Sequence, residues 1–560
     1  MTDTNLRIRS EILLLVAFCG FLFFYGLGAF GLLGADEPRY AQIAREMLDH
    51  ADWITPTLNG KPWLEKPPLY YWQAMLSYRT ARLFSTAENN SGATSVHARQ
   101  DQPQQIGATD GVTEISARLP DAIDAALLIA AIYLFLRRSR PGSELDGALI
   151  TASCAGVIAF ARAAATDMPL AATFTIALLS WYTWYENRGR APLAVFYAFL
   201  ALGMLAKGPV APALAAVIVI LFAIAARDRK CILDTLWLPG IALFLIVALP
   251  WYIAVQIRNP QFFRFFILEQ NLARFSTNVY HHPQPFWFFV PVFLLALMPW
   301  TVWLVAAVVE RLPEVWSDNK EEANIDRRWS LFLLIWTFVP VVFFSMSRSK
   351  LPGYILPAVP AAALLVTEFL ANRDRRISRL LAIVHGILCG ALVFAALSAP
   401  GIMLAHRLVL VRGTYIAAAI AIVTGLGIIV ALVANAGPRL IRSATMIAVI
   451  ISVAAVIRFA APAIDATQSA RPLVETIRSF SHEPVPVALY RVNRVEKYGL
   501  EFYFNRPTES YDQGEIPPEA HLLVAASGTE SEFRTRLGGR KVSYLTSLPA
   551  KKLELYWVGR

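Results

Sequence analysis

Residues 11–40 read EILLLVAFCGFLFFYGLGAFGLLGADEPRY. The run from Ile12 to Leu33 carries no charge and is long enough to cross a bilayer core, which takes about 20 helical residues. It is too long for the apolar part of a signal peptide and lacks a cleavage site, so we predict a retained membrane anchor. A dense polar block, Asp36 to Tyr40, follows directly. This pattern, an apolar span that ends in clustered polar residues, recurs along the chain and is typical of a polytopic membrane protein.

The composition places the chain in a membrane. Of its 560 residues, 56% are apolar and only 16% are charged, whereas a soluble protein of this size needs far more polar surface. We therefore expect an α-helical polytopic membrane protein. Its apolar stretches predict about thirteen transmembrane helices, at 11–33, 118–137, 146–165, 168–187, 192–206, 209–226, 236–256, 286–309, 330–347, 352–371, 380–400, 414–434 and 442–462.

The basic residues indicate the orientation of these helices. The net charge is +10, and clusters of Arg and Lys fall in alternate loops, beginning with Arg7 and Arg9. Such clusters mark cytoplasmic loops. We therefore predict a multi-pass membrane protein whose N-terminus is cytoplasmic, with the loop 34–117 and the end of the chain on the outer side.

Two domains are predicted. Residues 1–462 form a transmembrane domain, in which 34–117 is an outer loop with juxtamembrane helices. Residues 463–560 form a small soluble α/β domain on the outer side, with a helix at Arg471–Phe480 and strands at 486–492, His521–Ala526 and Leu553–Val558. Residues 86–113 are rich in Asn, Gln, Ser and Gly, and we predict a flexible insert there.

Two common kinds of site have no support in the sequence. The four cysteines include no C-x-x-C pair, so neither a disulfide framework nor a thiolate metal site is indicated. The sequence has no P-loop and no dinucleotide fingerprint. We expect no nucleotide cofactor and no nucleic-acid partner.

Polar blocks cluster on the predicted outer face, where charged residues are costly and usually functional. Each block also has a plain structural interpretation. Asp36 and Asp167 are suited to cap the helices that follow them, and Lys207 and Lys350 to extend toward the membrane interface. Acids and cations together on one face suit a membrane-embedded phosphate ester, because cations hold the phosphate and a carboxylate moves a proton.

A divalent metal is a further interpretation of these blocks. A carboxylate and the histidines at 281 and 282 lie on separate outer loops, where they are able to share an ion, with zinc the best match. Their spacing does not require one.

Several separated blocks, in order, resemble the ArnT-like aminoarabinose transferases, within the protein mannosyltransferase-like GT-C enzymes (glycosyltransferase family 39/83 type). The similarity covers essentially the whole membrane part. The blocks are Asp-Glu-x-Arg-Tyr at 36–40, Glu-Lys-Pro at 65–67, the acid at 167, Lys-Gly at 207–208, Glu-x-x-x-x-Arg-Phe at 269–275, His-x-x-Pro-Phe-Trp at 282–287 and Lys-Leu-Pro-x-Tyr at 350–354.

The resemblance implies a GT-C fold and a reaction. Residues 1–462 would be the catalytic domain, and residues 463–560 would lie in the periplasm. A sugar would pass from an undecaprenyl-phosphate carrier to lipid A or another envelope glycan or protein, on the periplasmic face of a bacterial inner membrane. It implies catalytic roles for Asp36 and Asp167, and a metal site at Glu65 and His282. It implies contacts with the carrier phosphate or substrate for Arg39, Tyr40, Lys66, Lys207, Arg274, Lys350 and Tyr354.

Two points leave the substrate open. Position 270 is Gln, where the aminoarabinose enzymes often carry His beside the Glu, and the insert at 86–113 is unusual. The alternative function is a flippase or transporter for a polyprenyl-linked sugar. That alternative is disfavoured because the two halves of the chain show no repeat and the charges sit at one face rather than at the bilayer midplane.

Overall fold

The computed structural model describes residues 3–91, 111–273, 284–316, 325–371, 378–405, 412–434, 438–480 and 485–560. Within these ranges, eight helices are long and apolar enough to cross a membrane. They are Glu114–Ser139, Arg190–Lys207, Leu238–Arg258, Asp326–Met346, Pro352–Ala371, Arg379–Leu404, Tyr415–Val433 and Arg439–Gln468. Other helices are Asp3–Cys19, Asp36–Asp49, Leu69–Ser91, Asp167–Asn187, Val210–Ala225 and Lys230–Thr235.

Two predicted spans are broken helices. Glu144–Ala152 and Ala155–Ala161 meet at 66°, and Phe286–Ala296 and Thr301–Pro313 meet at 113°. With each pair taken as one span, the described residues hold up to ten spans, so the predicted number of thirteen is not confirmed. The expected polytopic helical fold is confirmed.

Polar groups at the two helix breaks form hydrogen bonds with each other. The Ala155 N–H donates to the Met298 carbonyl at 3.0 Å, and the indole N–H of Trp300 donates to Ser153 Oγ at 2.8 Å. Backbone groups freed at a helix break need such partners in an apolar environment. The sequence pattern shows only the apolar run, so these bends come from tertiary packing.

The first apolar run also departs from a single long span. Its helix covers Asp3–Cys19, continues as a π-helix over Gly20–Phe24, and then turns. Arg162 donates to the carbonyls of residues 22, 25 and 26, and Arg118 to those of residues 27, 30 and 31. The two buried guanidinium groups donate hydrogen bonds to these carbonyls. The backbone between residues 25 and 33 therefore has hydrogen-bond partners without forming a helix.

The first outer loop packs as two helices and a hairpin. The helix Asp36–Asp49 lies against Leu69–Ser91, and the strands Thr57–Leu58 and Lys61–Pro62 form the hairpin between them. The Glu46 carboxylate accepts from Thr57 Oγ1 at 2.9 Å and from the N–H groups of residues 59 and 60 at 2.7 and 3.2 Å. Glu46 thereby fixes the hairpin, and with it residues 63–65, beside the first turn of the helix.

The C-terminal part of the chain is a five-stranded mixed sheet with helices. Strands run in the order Glu509–Ser510, Val487–Tyr490, His521–Ala526, Leu553–Val558 and Val542–Leu548. The first three are parallel, and the last two pair antiparallel. Its helices are Arg471–Phe480, Arg494–Phe504 and Glu530–Arg536. The predicted helix Arg471–Phe480 and strands at 521–526 and 553–558 are confirmed, and the predicted strand 486–492 is shorter.

Candidate functional site

Asp36 and Arg39 form the first part of the site. Asp36 is the first residue of its helix, with Ala35 at the N-cap. The Asp36 carboxylate accepts from the Arg39 guanidinium at 2.5 Å, three residues on. Its side chain is 55% exposed, whereas that of Arg39 is 9% exposed. The capping interpretation of Asp36 is therefore wrong, because its carboxylate binds a side chain and faces solvent.

Arg39 lies in a pocket of aromatic rings. Its guanidinium carbon is 5.1 Å from the ring centre of Trp63, 5.4 Å from that of Tyr40 and 5.5 Å from that of Tyr498. Rings at this distance attract a cation. Burial lowers the pKa of Arg39, but Tyr40, Asp36 and Glu65 together raise that pKa above its ordinary value. Arg39 is therefore a permanent cation that holds Asp36 in one direction.

Glu65 approaches the same guanidinium from the hairpin side. Its Oε2 lies 3.9 Å from the Arg39 Nη2, and its side chain is 22% exposed. Lys66 is partly buried next to it. The blocks at 36–40 and 65–67, predicted separately, therefore meet at Arg39.

A second ion pair lies at the start of the helix Asp167–Asn187. The Lys207 ammonium donates to Asp167 Oδ1, and its nitrogen is 4.9 Å from the Tyr354 ring centre. Asp167 therefore does not act as a helix cap, and Lys207 does not simply extend to the interface. Three predicted blocks, at 167, 207 and 350–354, meet here.

Gly353 allows the 350–354 segment to lie against Asp167. A Cβ at position 353 would lie 2.3 Å from Asp167 Oδ1 and 2.7 Å from its Cγ. Real side-chain carbons do not approach this closely, so only glycine allows the 350–354 segment to pass beside Asp167.

Asp121 is a further acid near Asp167. It is fully buried, and the acids that act on it electrostatically include Asp124, Asp167 and Glu37. Its Oδ2 faces the Ala165 N–H at 3.5 Å, while Oδ1 has no partner among the described residues. The sequence does not distinguish Asp121, because nothing in an apolar helix marks which acid points inward.

Other predicted residues have different surroundings. Tyr40 is 5% exposed and packs on Tyr70 and Tyr71. Lys350 is buried and donates to the carbonyls of Ser347 and Gln284, and its burial lowers the pKa of the ammonium. Lys350 therefore fixes its own turn. Arg274 and His282 lie outside the described residues.

A pocket of about 520 Å³ opens beside Glu65. It joins the hairpin to the segment before residue 270, and is lined by Pro62, Trp63, Leu64, Glu65, Gln261, Arg264, Phe265 and Glu269. Arg264 and Glu269 pair across 3.5 Å and are largely exposed. The pocket offers both apolar walls and charges next to the Asp36–Arg39 pair, as an amphiphilic ligand requires.

The described residues do not form a metal centre. Glu65 is the one predicted ligand that they include, and its carboxylate faces the Arg39 cation. Within the described ranges, no group of three or more His, Cys, Asp or Glu is placed to hold an ion. We therefore derive no step through a metal.

Comparison with known proteins shows clear relatives. A family model for dolichyl-phosphate-mannose-protein mannosyltransferases matches residues 106–253. An undecaprenyl phosphate-alpha-4-amino-4-deoxy-L-arabinose arabinosyl transferase of Pseudomonas aeruginosa (strain UCBPP-PA14) is 29% identical over 399 residues, 70% of this chain and 65% of that protein. The protein of the same name from Serratia proteamaculans (strain 568) is 28% identical over 392 residues, 68% of this chain and 64% of its own. The matched part thus covers slightly less than two thirds of these relatives.

The fold is also known from solved structures. The crystal structure of ArnT from Cupriavidus metallidurans bound to undecaprenyl phosphate matches with a TM-score of 0.74 at 20% identity, covering 98% of this chain and 97% of that chain. The apo structure of the same protein matches with a TM-score of 0.73. At this identity the likeness establishes the fold, including the C-terminal sheet.

Proposed function

We propose that this chain is a member of the ArnT-like family of GT-C glycosyltransferases and that it transfers a sugar from undecaprenyl phosphate to an envelope acceptor. The relatives are named as transferases of aminoarabinose carried on undecaprenyl phosphate, and the similar ArnT crystal structure contains undecaprenyl phosphate. The acceptor class is lipid A or another envelope glycan or protein.

The observation that carries this proposal is the solvent-facing Asp36 carboxylate beside the buried cation Arg39. A carboxylate held in one direction is suited to orient an acceptor hydroxyl or phosphate and to accept its proton. The acceptor oxygen then bonds to the anomeric carbon as the bond from that carbon to the carrier phosphate oxygen breaks. The leaving group is undecaprenyl phosphate, and a single displacement inverts the anomeric carbon.

The negative charge that develops on the leaving phosphate needs fixed cations. We assign this role to Lys207 at the Asp167 pair, together with Lys66 and Arg274. Preorganised donors in a site that excludes water stabilise such charge far better than water does. The half-apolar pocket beside Glu65 is the place we assign to the donor, since its apolar wall suits the first isoprene units.

We further propose that this end of the helices and the C-terminal domain face the periplasm of a bacterial inner membrane. The distribution of arginines between loops supports that orientation. It also agrees with a donor delivered on a lipid carrier, since the site has no need of a soluble nucleotide sugar.

The test is transfer of labelled sugar from a panel of sugar-linked undecaprenyl phosphates to envelope extract by purified protein. We expect wild type to transfer from at least one donor, and Asp36→Asn to be slower by about 100-fold or more. Asp49→Asn is the matched control, because Asp49 lies at the other end of the same helix and pairs with Arg82. Its activity should match wild type.

Two results contradict the proposal. Full activity in Asp36→Asn removes the role of that carboxylate. Absence of transfer from every donor by folded wild type removes the reaction, and a lipid-flipping assay then tests the flippase alternative.

Zinc binding through Glu65 and His282 stays a separate proposal. Elemental analysis of purified wild type and Glu65→Ala tests it, since a site that uses Glu65 should lose metal in the variant. Equal metal content in both proteins removes it.

A further inference from the structure

Tyr498, in the C-terminal domain, contacts the site in the first outer loop. Its ring centre is 5.5 Å from the guanidinium carbon of Arg39, and its side chain is 9% exposed. The two residues are more than 450 positions apart, so the contact exists only because the domain docks on the helix Asp36–Asp49. The residues assigned to the proposed reaction all lie outside this domain.

The helix that carries Tyr498 is held in place by its neighbours. The helix Arg494–Phe504 begins at an Asn493 cap, whose side chain accepts from two backbone N–H groups. Glu496 pairs with Lys551 across 3.3 Å, and both side chains are almost fully buried. The position of the Tyr498 ring within the domain is therefore fixed.

The domain in turn is fixed to the outer-loop helix. Arg45 donates to the Phe502 carbonyl at 2.7 Å, and Gln42 donates to Asn505 Oδ1 at 3.0 Å. Both residues follow Arg39 on the helix Asp36–Asp49. The docking thus sets where Tyr498 lies relative to Arg39.

A second attachment prevents the domain from pivoting about these contacts. Glu114, at the start of a transmembrane helix, accepts from Arg471 and from the Tyr503 hydroxyl, each at 2.8 Å. The backbone N–H of Leu32 donates to the same Tyr503 oxygen at 3.2 Å. These two sets of contacts hold the domain, and with it Tyr498, beside Arg39.

We propose that Tyr498 is a positioning residue: its ring holds the Arg39 guanidinium, and Arg39 in turn directs Asp36 toward the acceptor. This inference rests on the proposed function. Trp63 and Tyr498 come from separate segments, and together with Tyr40 they surround the guanidinium with rings. Removal of one ring face lets water reach the cation and frees it to leave Asp36. The C-terminal domain thereby completes the site.

The interaction depends on the electron density of the ring, and this property provides the test. Fluorinated phenylalanines at position 498 keep nearly the same shape while they weaken the attraction to a cation. The full-length protein in nanodiscs, with Phe, mono-, di- and trifluoro-Phe at 498, is assayed for transfer with the donor found for wild type. Tyr498→Phe should stay within about twofold of wild type, and kcat should fall stepwise along the series to about fivefold or more below it. The KM for donor should change less than kcat, because Asp36 acts on the acceptor.

A matched series at Tyr544 controls for general effects on the domain. Tyr544 is 55% exposed and lies on the strand Val542–Leu548, so the same substitutions there should leave kcat unchanged. A flat series at 498 in an active enzyme overturns this inference and leaves the proposed function intact. An inactive folded wild type overturns the proposed function, and this inference with it.

Discussion

The guanidinium of Arg118 donates two hydrogen bonds to one oxygen of Glu37, at 2.7 and 3.1 Å. Arg118 has no exposed surface, and its other donors bind backbone carbonyls of residues 27, 30 and 31. All five N–H groups are therefore used. This pair connects the helix Asp36–Asp49 to the transmembrane helix Glu114–Ser139. The point of connection, Glu37, is the residue that follows Asp36.

Arg118→Met should destabilise the protein strongly. It removes the guanidinium from the Glu37 carboxylate, which keeps the Leu33 N–H as a donor, and from three carbonyls. Loss of one partner of a buried pair costs about 3–5 kcal/mol. Thermal unfolding in detergent measures the change. Arg82→Met is the control, since Arg82 forms a half-exposed pair with Asp49 that is worth at most about 1 kcal/mol. Equal melting temperatures for the two variants would contradict this account of Arg118.

Gly353→Ala should impair transfer while the protein still folds. The added carbon would lie 2.3 Å from Asp167 Oδ1 and 2.9 Å from the Phe160 ring, so Asp167 must move away from Lys207. We expect kcat/KM to fall by about tenfold or more, as when a fixed electrostatic contact is lost. Gly401→Ala is the control, because nothing lies within 4 Å of the added carbon there. Wild-type activity in Gly353→Ala would show that the Asp167–Lys207 geometry is dispensable.

The C-terminal domain should lose stability in mild acid. Burial lowers the pKa of His521 below its ordinary value of 6.5, and the ring contacts Tyr511 and the Glu519 carbonyl. The unfolded state therefore binds more protons than the folded state just below pH 6.5, so stability falls as the pH drops through that value. At pH 7 and above the effect is absent.

Hydrogen exchange of the strand His521–Ala526 between pH 5 and 7.5 measures this loss. His521→Gln should remove most of the pH dependence after correction for intrinsic exchange. His50→Gln should not, because His50 is exposed at the end of another helix. An unchanged pH profile in His521→Gln would assign the loss to other groups.

The orientation can be tested with single cysteines. All four native cysteines are buried, so introduced ones react selectively. Ser531→Cys, exposed on the C-terminal domain, should react with a membrane-impermeant maleimide in spheroplasts. Asn187→Cys, exposed at the end of the helix that begins with Asp167, should react only after permeabilisation. The reverse pattern would place the site in the cytoplasm.

Some features of the site followed from the residue pattern. The order of the polar blocks identified Asp36, Arg39, Asp167 and Lys207 as residues at the ends of apolar spans. Chain connectivity was enough for this, since a charge next to an apolar helix must lie near the membrane surface. The pattern did not reveal their partners, and it left both helix capping and proton transfer open for the two acids.

The sequence alone predicts a polytopic helical membrane protein with a polar tail, because apolar length and local periodicity depend on neighbouring residues only. The other features come from tertiary packing. It bent two of the predicted spans, since their freed backbone groups find partners in each other. It brought Gly353 against Asp167 and Tyr498 over Arg39, contacts between segments far apart in the chain. Such contacts depend on how whole elements pack, and no local pattern of residues encodes that packing.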